Sequence, residues 1–421
     1  MNFIDVTETA GGIPVITENI PGCGSAGFMV AVRTGSRDED RKSLGISHLL
    51  EHVVFRRTES RTSYQMAKEM EGAGGMMNAF TGKEVTGFYG ITLKETSAVA
   101  KEMVADIVAH PMLGDEDTEL EKKIVLQELS MIKNDPESYI HDLFDETVWE
   151  GHELSQTPGG KERIVEKLTH EDLRAYYEDR YGRPNFAVFA AGAVNGKDTA
   201  AWASGSFDGM EAATAPVRKK PPVPKAKYRF FSNKSDHYQV AMGFPAYVKE
   251  DGNRAASELL SGLLGSGTSS RLFQEVREKN ALVYSVYSAL DESTDSAYLG
   301  IYMSSTAENV LPSVNAVSGV LRSLTKEGLE KGELERTKNL IKGSIIRSQE
   351  STVRRMNRLA REYMLTGKVR TLEDRIADIE NATEEDVLAV AEKTIRAETL
   401  NTAVLGKADR TIKEADFSSV L

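Results

Sequence analysis

Residues 45–55 of the chain read GISHLLEHVVF, a stretch that contains the pattern H-x-x-E-H. In a helix, residues three and four positions apart share one face, so His48, Glu51 and His52 point the same way. The residues between and after them are leucines, valines and a phenylalanine, which predicts that the helix is largely buried. Ser43 precedes this stretch and is the predicted N-cap of the helix.

Two imidazoles and a carboxylate on a buried helix indicate a metal site. Burying such groups without partners is costly, and a metal ion would satisfy both histidines. The order H-x-x-E-H is the inverzincin signature, the reverse of the commoner H-E-x-x-H. The alternative is that these are ordinary core or surface residues. Against it, two of only seven histidines stand four apart with a glutamate between them.

A helix predicted at 115–133 carries candidates for a further metal ligand. Its first turn is acidic, as the helix dipole favours. Glu121 and Glu128 lie seven residues apart and therefore share a face. Catalytic zinc sites commonly have three protein ligands and leave one position open for water. Most charges on such a helix face solvent, so the helical pattern alone leaves open whether either glutamate is a ligand.

Composition limits the classes of protein to consider. The chain has 421 residues, 40% hydrophobic and 28% charged, which is typical of a soluble protein with two or more domains. No apolar run reaches the length of a membrane span, and residues 1–6 lack the features of a signal peptide. A single cysteine, Cys23, excludes an intrachain disulfide and fits a reducing compartment. We therefore expect a cytoplasmic protein that does not enter a membrane.

The charge balance bears on partners. The net charge of −12 argues against nucleic acid, which needs a basic surface, and no nucleic-acid-binding motif is present. An acidic protein suits a cationic partner such as a basic peptide.

The chain divides near its middle and then repeats itself. Four prolines fall within residues 211–226, which favours an extended linker. We predict an N-terminal domain at 1–212, a linker at 213–227 and a C-terminal domain at 228–421. The second half restarts the same order of strands and helices, and ELEK at 119–122 matches ELER at 333–336, an offset of 214. We interpret this correspondence as a diverged internal duplication.

The second copy informs the metal hypothesis. At the same offset it keeps the apolar pattern but replaces His48, Glu51, His52 and Glu128 with Gly262, Gly265, Ser266 and Lys342. The ionisable groups are therefore not required by this structural unit, which strengthens the prediction of a functional site in the first copy.

These motifs together resemble those of the pitrilysin/insulinase family of zinc metallopeptidases. The resemblance covers essentially the whole chain and is strongest to bacterial members related to mitochondrial processing peptidase. In that family a ligand glutamate follows the second histidine by 76 residues, and that position here is Glu128. The family also has an acidic residue seven positions before this ligand, which matches Glu121.

Other segments extend the resemblance. The family's active-site edge strand is matched by Asn78, Ala79, Phe80 and Thr81. Residues 269–279, SSRLFQEVREK, match its second-domain signature, which includes an arginine and a tyrosine seven apart, here Arg277 and Tyr284. The preceding glycine-rich segment at 264–268 is also usual for the family.

The resemblance implies an α+β fold of two homologous domains, each a mainly antiparallel β-sheet packed with helices. It implies an endopeptidase with one zinc ion per chain, bound by His48, His52 and Glu128. Glu51 would be the general base, and Glu121 would orient a ligand.

The resemblance also implies how substrate binds. Unfolded or extended peptides, possibly basic, would add to the strand at 78–81 by β-augmentation. Arg277 and Tyr284 would hold the substrate carbonyl or its oxyanion. In the family these two groups reach the zinc from an opposite half, so we expect a homodimer with two sites, each completed in trans.

Two alternatives remain at this point. The chain could be a non-catalytic, peptide-binding or scaffold subunit of the same family, although such relatives typically lose motif residues and this chain keeps them. It could also be a structural metal protein. Structural zinc usually has a closed set of four ligands, often cysteines, and the one cysteine here is distant from the motif.

Overall fold

Two β-sheets and the helices packed on them form the chain in a computed structural model, which describes residues 3–247 and 253–408. The strands of the first half are β1 (Phe3–Glu8), β2 (Pro14–Asn19), β3 (Ser25–Val32), β4 (Met76–Thr81), β5 (Thr86–Leu93) and β6 (Phe186–Gly192). Its helices are α1 (Ile46–Val53), α2 (Ser63–Gly72), α3 (Ser97–Ala109), α4 (Asp115–Asn134), α5 (Pro136–Val148), α6 (Glu162–Val165), α7 (His170–Arg180) and α8 (Gly196–Phe207).

The second half repeats this order. Its strands are β7 (Lys227–Ser232), β8 (His237–Pro245), β9 (Val283–Glu292), β10 (Ala297–Thr306) and β11 (Asn401–Gly406). Its helices are α9 (Asn253–Gly265), α10 (Val310–Glu327), α11 (Glu333–Ser348), α12 (Thr352–Thr366), α13 (Leu372–Asn381) and α14 (Glu384–Thr394), with a π-helical segment at Phe273–Lys279.

The two sheets share one topology. The first has the order β1-β2-β6-β3-β5-β4 and the second the order β7-β11-β8-β10-β9. From β2 and β7 onward, each has one parallel pair followed by three antiparallel pairs. This agreement in strand order and direction confirms the predicted α+β fold of two homologous, mainly antiparallel domains.

The compact units are not contiguous in sequence. Unit 1 consists of the chain up to Leu129, Gln156–Arg218 and Arg347–Thr371, and unit 2 of Ser130–Ser155, Lys219–Ile346 and the chain from Leu372 onward. Unit 1 thus includes α12, which packs on β6, β3 and β2, and unit 2 includes α5, which packs on β11, β8 and β7. Sequence patterns did not predict this exchange, because an amphipathic helix reveals which face it buries but not which sheet covers that face.

The predicted linker differs from a free spacer. The chain leaves unit 1 after Arg218 and enters unit 2 at Lys219, a point inside the predicted linker at 213–227. The predicted domain boundaries themselves stay a prediction. Arg218 forms a two-pronged ion pair with Asp38, with both nitrogen–oxygen distances 2.8 Å. The first part of the linker is therefore anchored on unit 1.

Helices α10 and α11 are separated by a short connection that includes Gly328 and Gly332, both with positive φ. Sequence reasoning made no assignment after residue 349, where α12, α13, α14 and β11 lie. No helix among residues 3–247 and 253–408 is both long and apolar enough to cross a membrane.

Strand β4 is the last strand of the first sheet. It pairs with β5 on one side, and within the described residues no strand pairs with its other edge. Its side chains alternate between the two faces of the sheet. One face exposes Met76, Asn78 and Phe80, and the other, half-buried, carries Met77, Ala79 and Thr81. Helix α1 contacts β4.

The start of α1 is held by a buried carboxylate. Glu39 accepts hydrogen bonds from the backbone N–H groups of Gly45, at 2.7 Å, and Ser47, at 2.9 Å. Burial raises the pKa of Glu39 to about 7, and these hydrogen bonds act in the opposite direction. The predicted N-cap, Ser43, is wrong, because the helix begins two residues later and its N-cap is Gly45, in the left-handed region at φ 94°.

We expect Glu39→Gln to destabilise the protein by about 1–3 kcal/mol. The amide keeps one acceptor oxygen and turns an NH2 group toward the second backbone N–H, which is left unsatisfied. Denaturant unfolding monitored by circular dichroism measures the change. Asp40→Asn, at an exposed neighbouring position, is the matched control. An unchanged unfolding free energy in Glu39→Gln would show that Glu39 does not hold the helix start.

Candidate metal centre

Helices α1 and α4 bring three potential metal ligands together. The Oε2 atom of Glu128 lies 3.8 Å from His48 Nε2 and 3.4 Å from His52 Nε2. One ligand atom from each of the three residues falls within 4.8 Å of the others. In the part of the chain that the structure describes, no other group of three His, Cys, Asp or Glu side chains meets this condition.

His48 is held in the form that binds metals. Burial, followed by the neighbouring His52, lowers its pKa to about 4, so the ring is neutral at pH 7. Its Nδ1 is buried and has no hydrogen-bond partner. A neutral imidazole with a free nitrogen lone pair is the metal-binding form of histidine. The other ring nitrogen, Nε2, faces Glu128 and is the atom that would bind a metal.

His52 is oriented by a second carboxylate. Its Nδ1 lies 3.0 Å from Glu121 Oε2, where the ring N–H donates to the carboxylate and leaves Nε2 facing Glu128. Burial lowers the pKa of His52, but the Glu121 hydrogen bond and the charges of Glu128 and Glu51 outweigh it, so the pKa is raised overall. Arg56 Nε lies 3.5 Å from the other oxygen of Glu121. A carboxylate on the distal nitrogen is the usual support of a metal-bound histidine.

Glu51 lies beside the three candidate ligands and has a hydrogen-bond partner on β4. The hydroxyl of Thr81 donates a hydrogen bond to Glu51 Oε2. Burial raises the pKa of Glu51, and although the Thr81 hydrogen bond and His52 lower it, the pKa remains above its usual value. A carboxylate whose pKa is moved toward neutrality is better suited to accept and return a proton at pH 7.

The donor set fits zinc. Two imidazole nitrogens and one carboxylate oxygen are a known ligand set of catalytic zinc sites, which keep a further position open. The Glu128 side chain is 44% exposed, so solvent reaches this end of the group. His48, His52 and Glu128 would hold the ion, with Glu121 behind His52.

The residues predicted to bind substrate lie on the exposed edge strand β4. Asn78 accepts a hydrogen bond from the N–H of Ala79 at 2.8 Å, and the ring of Phe80 covers Gly87 on β5, where a Cβ would lie 2.5 Å from the ring. Within the described residues no strand pairs with the outer edge of β4, where the Asn78 side chain occupies the Ala79 N–H. Of the four, Thr81 reaches the metal centre.

Arg277 and Tyr284 lie together in unit 2. Arg277 belongs to the π-helical segment, and its guanidinium lies 4.7 Å from the ring centre of Phe273 and 5.9 Å from that of Tyr284. Tyr284 is the extra residue of a β-bulge in β9. Ser285 pairs with Ser304 of β10 and Val283 pairs with Ser305, so the residue between them has no paired position on β10. Its side chain is 79% exposed. Bulges and π-helical turns often direct side chains at functional sites.

In the second copy, the positions that correspond to His48 and Glu51 have no room for a side chain. A Cβ on Gly262, the counterpart of His48, would lie 2.9 Å from the side chain of Thr337 on α11. A Cβ on Gly265, the counterpart of Glu51, would lie 2.2 Å from the backbone nitrogen of Ser288 on β9. Helix α9 therefore packs directly against its neighbours, and this copy has no room for a metal centre.

Sequence reasoning missed two residues, Arg56 and Glu39, and one contact, between Thr81 and Glu51. Arg56 lies in the turn that follows α1, so the helical pattern did not indicate it. Glu39 comes from an irregular segment and carried no periodic signal. The contact between Thr81 and Glu51 joins a strand to a helix and could not be read from either pattern alone.

Comparisons with known proteins match both halves of the chain. The sequence model described as Insulinase (Peptidase family M16) matches residues 14–160, which contain all three ligands and Glu51. The model described as Peptidase M16 inactive domain matches residues 167–341, which contain Gly262 and Gly265.

Relatives align over nearly the full length. An uncharacterised zinc protease of Streptomyces coelicolor is 32% identical over 91% of this chain and 86% of its own. One of Mycobacterium tuberculosis is 33% identical over 95% of this chain and 92% of its own. Among solved structures, a protease from Helicobacter pylori has a TM-score of 0.90 at 22% identity, covering 96% of this chain and all of its own. This structural likeness supports the fold.

We expect Glu121→Gln to weaken zinc binding by about 10–100-fold, the usual effect of removing a carboxylate behind a ligating histidine. The amide no longer fixes the ring tautomer or supplies charge. Competition with a chromophoric chelator measures the affinity. Glu116→Gln, at an exposed position on the same helix, is the control. Equal zinc affinity in both variants would remove Glu121 from the site.

Proposed function

The chain belongs to the insulinase family of peptidases (peptidase family M16), and on that basis we propose that it is a zinc-dependent endopeptidase of unfolded peptides. The observation that carries the proposal is the convergence of His48, His52 and Glu128, with Glu51 beside them. Full-length relatives named zinc proteases support it. The net charge of −12 favours basic peptides as substrates.

Substrate would bind along β4. An extended peptide that pairs with the free edge of this strand gains main-chain hydrogen bonds without requiring a particular sequence. The pairing needs an exposed, unpaired backbone, so folded proteins would be poor substrates. Because Thr81 ends this strand beside Glu51, a peptide aligned on β4 would lie next to the catalytic groups.

Each residue of the centre has a distinct chemical task. A zinc ion held by His48, His52 and Glu128 would supply Lewis acidity, polarising the scissile carbonyl and lowering the pKa of water to about 7. Glu51 would accept the proton of the attacking water and deliver it to the leaving amine. Glu121 would keep His52 in the tautomer that presents Nε2.

We also propose a homodimer in which Arg277 and Tyr284 of one chain complete the site of the other. Both side chains carry hydrogen-bond donors suited to a carbonyl oxygen or oxyanion. The exposure of Tyr284 and its place on a bulge support a role outside its own unit.

Glu51→Gln tests the reaction. We expect the variant to keep one zinc per chain and to lose peptide cleavage on the order of 10²–10⁴-fold, because the amide cannot accept the proton. Hydrolysis of an unstructured basic peptide, followed by mass spectrometry, measures the loss, and Glu71→Gln on the exposed face of α2 is the control. A chelator should abolish wild-type cleavage. A zinc-loaded wild type that binds the peptide without cleaving it would instead be a non-catalytic subunit.

Mixing two inactive variants tests completion in trans. Glu51→Gln and Tyr284→Phe chains are each expected to be impaired, and their mixed dimer contains one site with both residues intact. Activity should therefore return at one of the two sites after chain exchange, which mass spectrometry of the intact complex monitors. No recovery despite confirmed exchange would contradict the trans arrangement.

A further inference from the structure

We propose that Thr81 is a positioning residue, whose hydroxyl holds the carboxylate of Glu51 in place from the end of the substrate-binding strand. The inference rests on the proposed function, because it takes Glu51 as the general base. It also changes the part assigned to Thr81, which the sequence predicted to bind substrate directly.

The contact is specific to one oxygen of Glu51. Thr81 Oγ1 donates to Oε2, and within the described residues this hydroxyl is the hydrogen-bond donor found on that carboxylate. The other oxygen, Oε1, is left to accept a proton. The side chain of Thr81 points to the half-buried face of β4, and α1 packs against this strand. A glutamate has three rotatable side-chain bonds, so one fixed donor strongly limits its orientations.

The position of the hydroxyl is itself well determined. Thr81 pairs with Thr86 on β5, and the turn that follows is closed by a hydrogen bond from the Gly82 N–H to the Val85 carbonyl at 2.8 Å. The Gly82 carbonyl accepts a further hydrogen bond from the Ser36 N–H at 3.2 Å. Threonine is β-branched, which restricts its χ1 angle. The end of β4 thus presents the hydroxyl from a fixed backbone.

This arrangement links substrate binding to catalysis through one side chain. A peptide that pairs with β4 adds hydrogen bonds to the strand that carries Thr81 and further limits its motion. The carboxylate of Glu51 is then held relative to the same strand that aligns the scissile bond. Because misplacing a catalytic group by about 1 Å costs on the order of 10²-fold in rate, the effect should fall on kcat.

Other roles for Thr81 make different predictions. A residue that contacts substrate directly would change KM when altered. A residue that serves stability alone would change the melting temperature and would be restored by any side chain of similar shape. A positioning residue needs the hydroxyl, so serine should replace it and the isosteric valine should not.

The experiment compares Thr81→Val with Thr81→Ser in the full-length, zinc-loaded protein, using an unstructured basic peptide. We expect Thr81→Val to lower kcat by about 10–100-fold while KM, zinc content and melting temperature stay close to wild type. Thr81→Ser should keep most of the activity. Thr7→Val, on the opposite edge strand β1, makes the same chemical change away from the centre and is the control.

A double-mutant cycle strengthens the test. If Thr81 acts through Glu51, then Thr81→Val added to Glu51→Gln should cause no further loss of residual activity. An unchanged kcat in Thr81→Val, or a rise in KM alone, would overturn the inference while leaving the proposed function intact.

The inference can also be judged if the wild type cleaves no peptide and the proposed function fails. Crystal structures of zinc-loaded wild type, Thr81→Val and Thr81→Ser then decide it. The inference requires the Glu51 carboxylate to keep one orientation in wild type and in the serine variant and to lose it in the valine variant. The same orientation in all three would overturn it.

Discussion

Partial burial of three ionisable side chains on one face of α1 is the constraint on which the rest of unit 1 depends. A buried ionisable group without a partner costs several kcal/mol, so each requires a neighbour at a defined place. Helix α4 provides Glu121 to His52, and strand β4 provides Thr81 to Glu51. His48 receives no protein partner at Nδ1. The Nε2 atoms of His48 and His52 both face Glu128, so a cation among these three groups would bind all of them.

Electrostatics point to the same conclusion. The carboxylates of Glu51, Glu121 and Glu128 converge on two histidines, and burial together with the charge of Glu128 raises the pKa of Glu51. Burial lowers the pKa of His52, but the Glu121 hydrogen bond and these charges raise it overall. A divalent cation offsets these charges and reverses the local preference for protonation.

The duplicated half shows what the same framework does without these charges. With glycine at 262 and 265, α9 approaches its strand and neighbouring helix closely, and the interface becomes ordinary packing. The two copies share strand order and direction while differing at the positions that carry chemistry. The fold therefore follows the apolar pattern that both copies share, and the candidate metal centre depends on the four positions at which they differ.

Features that depend on neighbouring residues were predicted well from the sequence, and features that depend on contacts between distant residues were not. The helix containing His48 and the helix at 115–133 were predicted closely, because their periodicity is local. Glu128 came from spacing within a family resemblance. The predicted N-cap Ser43 was wrong. The side chain that accepts the hydrogen bonds at the helix start is Glu39, which lies in an irregular segment without a periodic signal. Contacts that join distant elements, such as Thr81 with Glu51, leave no mark on local pattern.

The exchange of α5 and α12 bears on how such a chain could arise. A single copy of the repeat carries a helix that, in this protein, covers the sheet of the other copy. Alone, that copy would leave one face of its sheet exposed to water. Two identical chains could cover this face in both copies by exchanging the helix. A swapped dimer is a low-cost arrangement for identical chains. Fusion of two such genes would keep the exchanged helices within one polypeptide, and we therefore expect that neither half of this chain folds by itself.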